Sequence, residues 1–100
     1  MRYTSKHMLI NFKCKETQKI WKGEVSLSLP REIQHIARRK LRILNNAKKL
    51  SDAMCPPGNH LEALKGKRKG EHSIRINSQW RICFTWENGH IHNVKMEDYH

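Results

Sequence analysis

Ser73-Ile74-Arg75-Ile76-Asn77-Ser78-Gln79-Trp80-Arg81-Ile82-Cys83-Phe84-Thr85-Trp86 carries the plainest pattern in the chain. Its period is two. His72, Ile74 and Ile76 alternate with Ser73, Arg75 and Asn77. After a turn near Asn77-Ser78-Gln79, Trp80, Ile82, Phe84 and Trp86 alternate with Arg81, Cys83 and Thr85. Side chains of an extended chain point alternately to opposite sides, so this is an antiparallel pair with one apolar and one polar face. Downstream, Asn88-Gly89 is a strong signal for a hairpin turn. A two-residue turn there sets Trp86 opposite Ile91 and Phe84 opposite Asn93, which strands Val94 and Met96 on the polar face. A register one residue over puts Val94 beside Phe84 and Met96 beside Ile82 and keeps one apolar face intact. A longer, bulged connection over residues 87–91 is therefore expected.

Upstream the period lengthens. Ile33, Ile36, Ala37, Leu41, Leu44 and Ala47 recur at helical spacing, with Ser28 and Pro30 marking the start of this long helix. Its opposite arc carries His35, Arg38, Arg42 and Lys49, with Arg39 at the edge. That arc is a solvated face, an RNA contact or a docking surface for an acidic protein. Lys40 falls inside the apolar arc, its stem lying along the core edge. A shorter helical stretch over residues 16–21 ends before Gly23, and residues 8–14, with apolar Leu9, Ile10 and Phe12, read as a first strand. Met54-Cys55-Pro56-Pro57-Gly58-Asn59 opens a loop, and Lys65-Gly66-Lys67-Arg68-Lys69-Gly70 is a second, glycine-bounded and very basic one. The sum is an α+β fold: an N-terminal strand, two helices, then an antiparallel sheet packed on the helices. Residues 1–7 form an N-terminal extension and residues 8–100 a single domain.

Composition narrows the class of partner. The 100 residues hold 20 Lys and Arg against 9 Asp and Glu, a formal charge of +11, with 37% hydrophobic content. That is enough for one small core and points to a polyanion as partner. No apolar run approaches the ~20 residues of a membrane span, and the polar start reads as no signal peptide. Three widely spaced cysteines, Cys14, Cys55 and Cys83, with no CxxC pair, argue for a reducing compartment, so a cytoplasmic protein is expected.

The sharpest chemical feature is the end of the chain. Asp98-Tyr99-His100 sets a carboxylate, a phenol and an imidazole together. RNA cleavage by side chains alone needs a base for the 2′-hydroxyl, an acid for the leaving 5′-oxygen, and cations for the charge on phosphorus. Histidine suits the proton transfers because its ordinary pKa of ~6.5 lies close to working pH. Tyr99 can stack on a base or donate to a phosphate. Arg75, Arg81, Lys65 and Arg68 are the candidate cations, with Lys95 on the same polar sheet face as the two arginines. The bland alternative is a frayed, solvated tail, as an ordinary solvated turn is for the loop at 65–69. His90 and His92 sit two apart, with His60 and His72 before them, but no cysteine or carboxylate stands at ligand spacing, so neither metal nor cofactor is expected. Cys83 has no local base to activate it.

Two blocks and the ending carry a family resemblance. Pro56-Pro57-Gly58-Asn59-His60-Leu61-Glu62-Ala63-Leu64-Lys65-Gly66, the strand pair at 73–86 and the closing Asp98-Tyr99-His100 resemble the HigB (plasmid maintenance killer) toxins of the RelE/ParE superfamily, over essentially residues 8–100. The resemblance implies a RelE-like, microbial-RNase-type fold. It also implies a type II toxin that acts as a ribosome-dependent endoribonuclease, cutting mRNA in the A site and halting translation. The implied partners are the ribosome and mRNA, a HigA-type helix-turn-helix antitoxin and, through the antitoxin complex only, operator DNA. Family catalytic residues carry over onto Lys65, Asp98, Tyr99 and His100, with Arg81 as the cation facing the transition state. Arg75, Lys67, Arg68, Lys69, His60 and Lys95 form the surrounding RNA- and phosphate-binding set. His60 departs from the pattern: some relatives have a histidine three residues before the matched lysine, where Glu62 stands here. Residues 1–7 are a second departure, since family chains usually begin near Met8. Two other readings compete with this one: a gyrase-targeting ParE-like toxin, and a non-catalytic basic module that binds RNA or the ribosome.

Overall fold

The computed structural model describes residues 11–99. Two helices, α1 (Lys15–Trp21) and α2 (Gln34–Asn46), are followed by four strands: β1 (Glu62–Ala63), β2 (Glu71–Arg75), β3 (Trp80–Glu87) and β4 (His90–Asp98). The strands form one antiparallel sheet in the order β1-β2-β3-β4. This is the α+β arrangement expected, with one strand more than the periodicity announced: two residues are too few to display alternation. Most of the expected first strand lies outside the described residues. Its described part touches the sheet at Phe12, which forms a parallel bridge with Val94 on β4.

Seven residues are too few for a helix to hold by itself in water, so α1 depends on its neighbours. Ile20 and Thr17 are fully buried, and the Thr17 hydroxyl accepts the Met96 backbone N–H at 3.0 Å. At the C-terminal end, Arg38 of α2 donates its Nε to the Ile20 carbonyl at 2.8 Å and Nη2 to that of Glu24 at 3.4 Å. A cation thereby meets carbonyls that the helix itself leaves unpaired. Arg38 is thus part of the framework, while His35, Arg39 and Arg42 remain exposed on α2. Pro30 leads into a 3₁₀ turn, Arg31–Ile33, before regular α2 begins. Buried Gln34 pins the connection between the helices: its Nε2 donates to the carbonyls of Ser26 and Leu29, and its Oε1 accepts the Ser26 N–H.

The expected apolar arcs meet in one core. Ile20, Leu41, Leu44, Ile74, Ile82, Phe84 and Val94 are fully buried, joined by Ile33, Ala37, Ile91 and Met96. Burying each larger side chain is worth about 1.5–3 kcal/mol. Trp80 and Trp86 pack at its edge. Lys40 reaches from within the apolar arc of α2 to the side-chain oxygen of fully buried Asn59, and burial lowers its pKa. The amide nitrogen of Asn59 donates to the carbonyls of Ala53 and Cys55, so this residue anchors the loop ahead of β1.

The register problem is solved differently from the expectation. Trp86 pairs with Ile91 and Glu87 with His90, so the Asn88-Gly89 turn is tight, with φ +52° and +79° as a type I′ turn requires. The irregularity sits inside the strands instead, at the β3–β4 pairing between Cys83 and Thr85, beyond which Ile82 faces Met96. Asn93 takes the left-handed conformation there, φ +55°, and its N–H is accepted by the Asn11 side chain at 2.6 Å. One extra residue on β4 moves Val94 and Met96 onto the apolar face.

Candidate active site

The sheet face away from the helices carries Ser73 and Arg75 from β2, Arg81, Cys83 and Thr85 from β3, and Lys95 and Glu97 from β4. Arg75, Arg81 and Lys95 stand where alternation predicts, but Glu71 and Glu97 share the face, so it is not uniformly cationic. The charges form two clusters, although Glu97 of the second stands opposite Arg81 of the first in the β3–β4 register.

The first borders a cleft of about 260 Å³ lined by His60, Glu62, Arg75, Asn77, Ser78, Arg81 and Tyr99. Arg81 is 8% exposed and organises it. Its Nε donates to the Ser73 hydroxyl at 2.7 Å, and its Nη2 to the carbonyls of Ser73 and His60. The Glu62 carboxylate lies 3.9 Å from the same Nη2, and the Tyr99 ring lies 5.7 Å from the guanidinium carbon. Such stacking fixes a guanidinium plane without using its donors; among the described residues, Nη1 makes no hydrogen bond. Arg75 is held by the Asn77 carbonyl at 3.1 Å. His60 sits in the left-handed region at φ +44°, which aims its carbonyl at Arg81.

The second cluster is closed by ion pairs. Arg68 spans β3 from above: Nε and Nη2 donate to Glu71 at 3.2 and 2.8 Å, Nη1 and Nη2 to Glu97 at 2.8 and 2.6 Å. Both pairs use the planar fork that makes arginine–carboxylate contacts strong. Arg68 holds the Glu97 carboxyl below the usual carboxylate range. Buried Cys83 is pushed up to about 11 by burial and by the Glu97 charge, so it is no nucleophile at neutral pH. Gly70, at φ +99°, lets the loop turn into β2.

The expected site residues therefore part company. Arg75, Arg81, Tyr99 and His60 meet in the cleft. Lys65, Lys67 and Lys69 are exposed on the loop beyond β1, whereas the Arg68 guanidinium is engaged by two carboxylates. Lys95 lies opposite Cys83, nearer the closed cluster. Asp98 does not join Tyr99: it pairs with Trp80 on the strand face turned to the helices, accepts Nε2 of Gln79 at 3.1 Å, and lines a groove with Cys14, Leu29, Trp80 and Met96. His100, the leading proton-transfer candidate, lies outside the described residues, as do residues 1–7. His90 and His92 do share a face, with ring centroids 6.5 Å apart, and no cluster of three His, Cys, Asp or Glu fit for a metal occurs among the described residues. Sequence reasoning noted Glu62 three residues before Lys65, where some relatives have a histidine, but did not count it as a site residue, because the segment is too short to read as a strand.

Fold and cleft together describe a small basic α+β protein with two arginines lining a cleft on its sheet. Comparison makes the class specific: residues 10–100 match the HigB-like toxins, described as RelE-like toxins of the type II toxin–antitoxin system HigB. The chain is 37% identical over 91 residues to Toxin HigB-1 of Vibrio cholerae, covering 90% of this chain and 96% of that protein. It is 28% identical over 93 residues to Endoribonuclease HigB of Proteus vulgaris, covering 93% of this chain and 100% of that protein. The chain belongs to the HigB-like family, and so to the toxins that type II systems pair with an antitoxin. No helix among the described residues is long and apolar enough to cross a membrane.

Proposed function

We propose that this toxin is an endoribonuclease that cuts mRNA in the ribosomal A site by acid–base chemistry of its own side chains, arresting translation in the cytoplasm. The observation that carries the reading is the cleft in which Arg75, Arg81 and Tyr99 converge. Arg81 brings a buried, pre-oriented charge to the phosphate, and fixed charge aimed at a developing oxyanion is the largest single aid to such a reaction. Tyr99 positions a base or phosphate, Lys65 adds an exposed cation from the loop, and His100 transfers a proton. Lys67, Lys69, His60 and Lys95 extend the phosphate track. Arg68 acts by clamping the loop that bears these lysines, and Asp98 by anchoring the chain end through Gln79. A HigA-type antitoxin with a helix-turn-helix domain neutralises the toxin, and operator DNA meets it only through that complex. The relative named as an endoribonuclease aligns along its full length, which supports the enzymatic reading.

Primer extension on a defined mRNA tests it, with programmed ribosomes, purified protein, a His100→Gln variant and a ribosome-free control. Cleavage within the A-site codon, requiring ribosomes and lost in the variant, is expected. Cleavage of naked RNA would discard ribosome dependence. Intact mRNA in arrested cells with broken DNA would favour a gyrase target instead.

A further inference from the structure

We infer that Glu62 is the general base of the cleavage, taking the proton from the attacking 2′-hydroxyl, which leaves His100 the acid. The inference rests on the nuclease reading above. Among the described residues lining the cleft, Glu62 is the one carboxylate; Asp98, the carboxylate the sequence favours, faces the helices. Its presence is costly for binding. A negative charge beside Arg81 repels the phosphates that the rest of the cleft attracts. Nor does it serve the fold: its side chain is 56% exposed, and its 3.9 Å approach to Arg81 is too long to count for much in an exposed pair. A base explains both facts, since it must reach substrate and lie beside the cation that stabilises the transition state.

The short strand β1 fixes its aim. Glu62 pairs with Ser73, whose side chain shares the cleft face with Arg81, while neighbouring Ala63 pairs with His72, which stacks on Phe84. Facing Glu62 are His60 from its own segment, Arg75 from β2, Arg81 from β3 and Tyr99 after β4. The step balances within these groups and His100. The 2′-hydroxyl proton passes to the Glu62 carboxylate, the 2′-oxygen bonds to phosphorus, the bond from phosphorus to the 5′-oxygen breaks, and His100 protonates that oxygen. A 2′,3′-cyclic phosphate and a 5′-hydroxyl result, and Glu62 and His100 recover their states by proton exchange with water.

Single-turnover cleavage on programmed ribosomes, followed across pH, tests the assignment with Glu62→Gln, Glu62→Asp and His60→Gln. Glu62→Gln is expected to cut about 10²–10⁴-fold more slowly, to lose the acidic limb of the rate profile, and to bind mRNA-programmed ribosomes at least as tightly as the wild type. Glu62→Asp is expected to regain part of the rate and the limb. Cleavage by Glu62→Gln within threefold of wild type at every pH overturns the assignment. So does a pH-independent loss accompanied by weaker binding, which marks Glu62 as an orienter of Arg81, or an acidic limb that vanishes with His60→Gln instead. Failure of the wild type to cut any RNA is a different result: it removes the nuclease reading, and this inference with it.

Discussion

Two neighbouring clusters on one sheet face hold similar side chains to opposite effect. Near β1, Arg75 and Arg81 line an open cleft with one exposed carboxylate, Glu62. Toward the basic loop, Arg68 lies between Glu71 and Glu97 and covers Cys83, so its charge is matched twice over. Arginine alone does not make a phosphate site; what its guanidinium already touches does. Arg81 is hydrogen-bonded by neutral oxygens, a hydroxyl and two backbone carbonyls, which fix its geometry, and the carboxylate beside it, Glu62, is exposed and 3.9 Å away. Arg68 is oriented by anions, which fix the geometry and cancel the charge. The first arrangement suits a polyanionic ligand, the second a joint in the framework.

The largest effect expected from this contrast falls on Arg81. Lysine keeps the charge but cannot reproduce the fork that reaches Ser73 and His60 together. Arg81→Lys should lower single-turnover cleavage by roughly 10²–10³-fold, the usual cost of removing one oriented oxyanion donor. It should also cost about 1–3 kcal/mol of stability, from oxygens left unpaired. Cleavage and thermal melting of the same preparation separate the two losses. A variant that melts early but cuts within threefold of wild type would make Arg81 a scaffold residue, like Arg68.

The next effect is on stability alone and belongs to the closed cluster. Because Arg68 holds the Glu97 carboxyl low in the folded protein, this pair stabilises the fold above the ordinary carboxylate pKa. That contribution is lost as pH falls through the depressed value, where Glu97 takes up a proton. Glu97→Gln should therefore destabilise the toxin by about 1–3 kcal/mol at neutral pH, with the gap from wild type narrowing under acid. Thiol alkylation mapped by mass spectrometry gives a second check. Cys55 is exposed and reacts first, whereas Cys83, buried and raised to about 11, should become reactive in Glu97→Gln far sooner than in the wild type. Equal protection of Cys83 in both proteins would mean that the ion pairs are ornament on a face closed by packing.

Parts of this were legible because they repeat. Alternation identified Ile74, Ile82 and Phe84 as core, and helical spacing did so for Ile33, Ala37, Leu41 and Leu44. The need for an extra residue in the hairpin was legible too, since Met96 had to face Ile82. Its position was not: Asn-Gly satisfies a tight turn on its own terms, and Asn93 is supported by Asn11, which is 82 residues away in the chain. Arg68 was hidden for the same reason. In the sequence it is the middle cation in a run of three, and Glu97, 29 residues on, is what distinguishes it. The splitting of Asp98 from Tyr99 was available from alternation, because neighbours on a strand face opposite ways. The pattern of the chain end outweighed the strand it terminates.

The smallest effect returns to the loop. Lys67 is one residue from Arg68, and within the same 3₁₀ turn one side chain is held by two carboxylates while the other is exposed. If exposure without a matching anion is what lets a cation serve RNA, Lys67→Ala should weaken ribosome binding only a few-fold and leave the fold untouched. The sharper reading is the salt dependence. A lysine that meets one phosphate of single-stranded RNA adds about 0.7 to the slope of log affinity against log salt, so the variant's line should be shallower by that amount and cross the wild type's at high salt. An unchanged slope would place Lys67 off the phosphate track. A loss of cleavage as deep as that of His100→Gln would carry it into the cleft, and would mean that the loop moves onto the substrate when RNA binds.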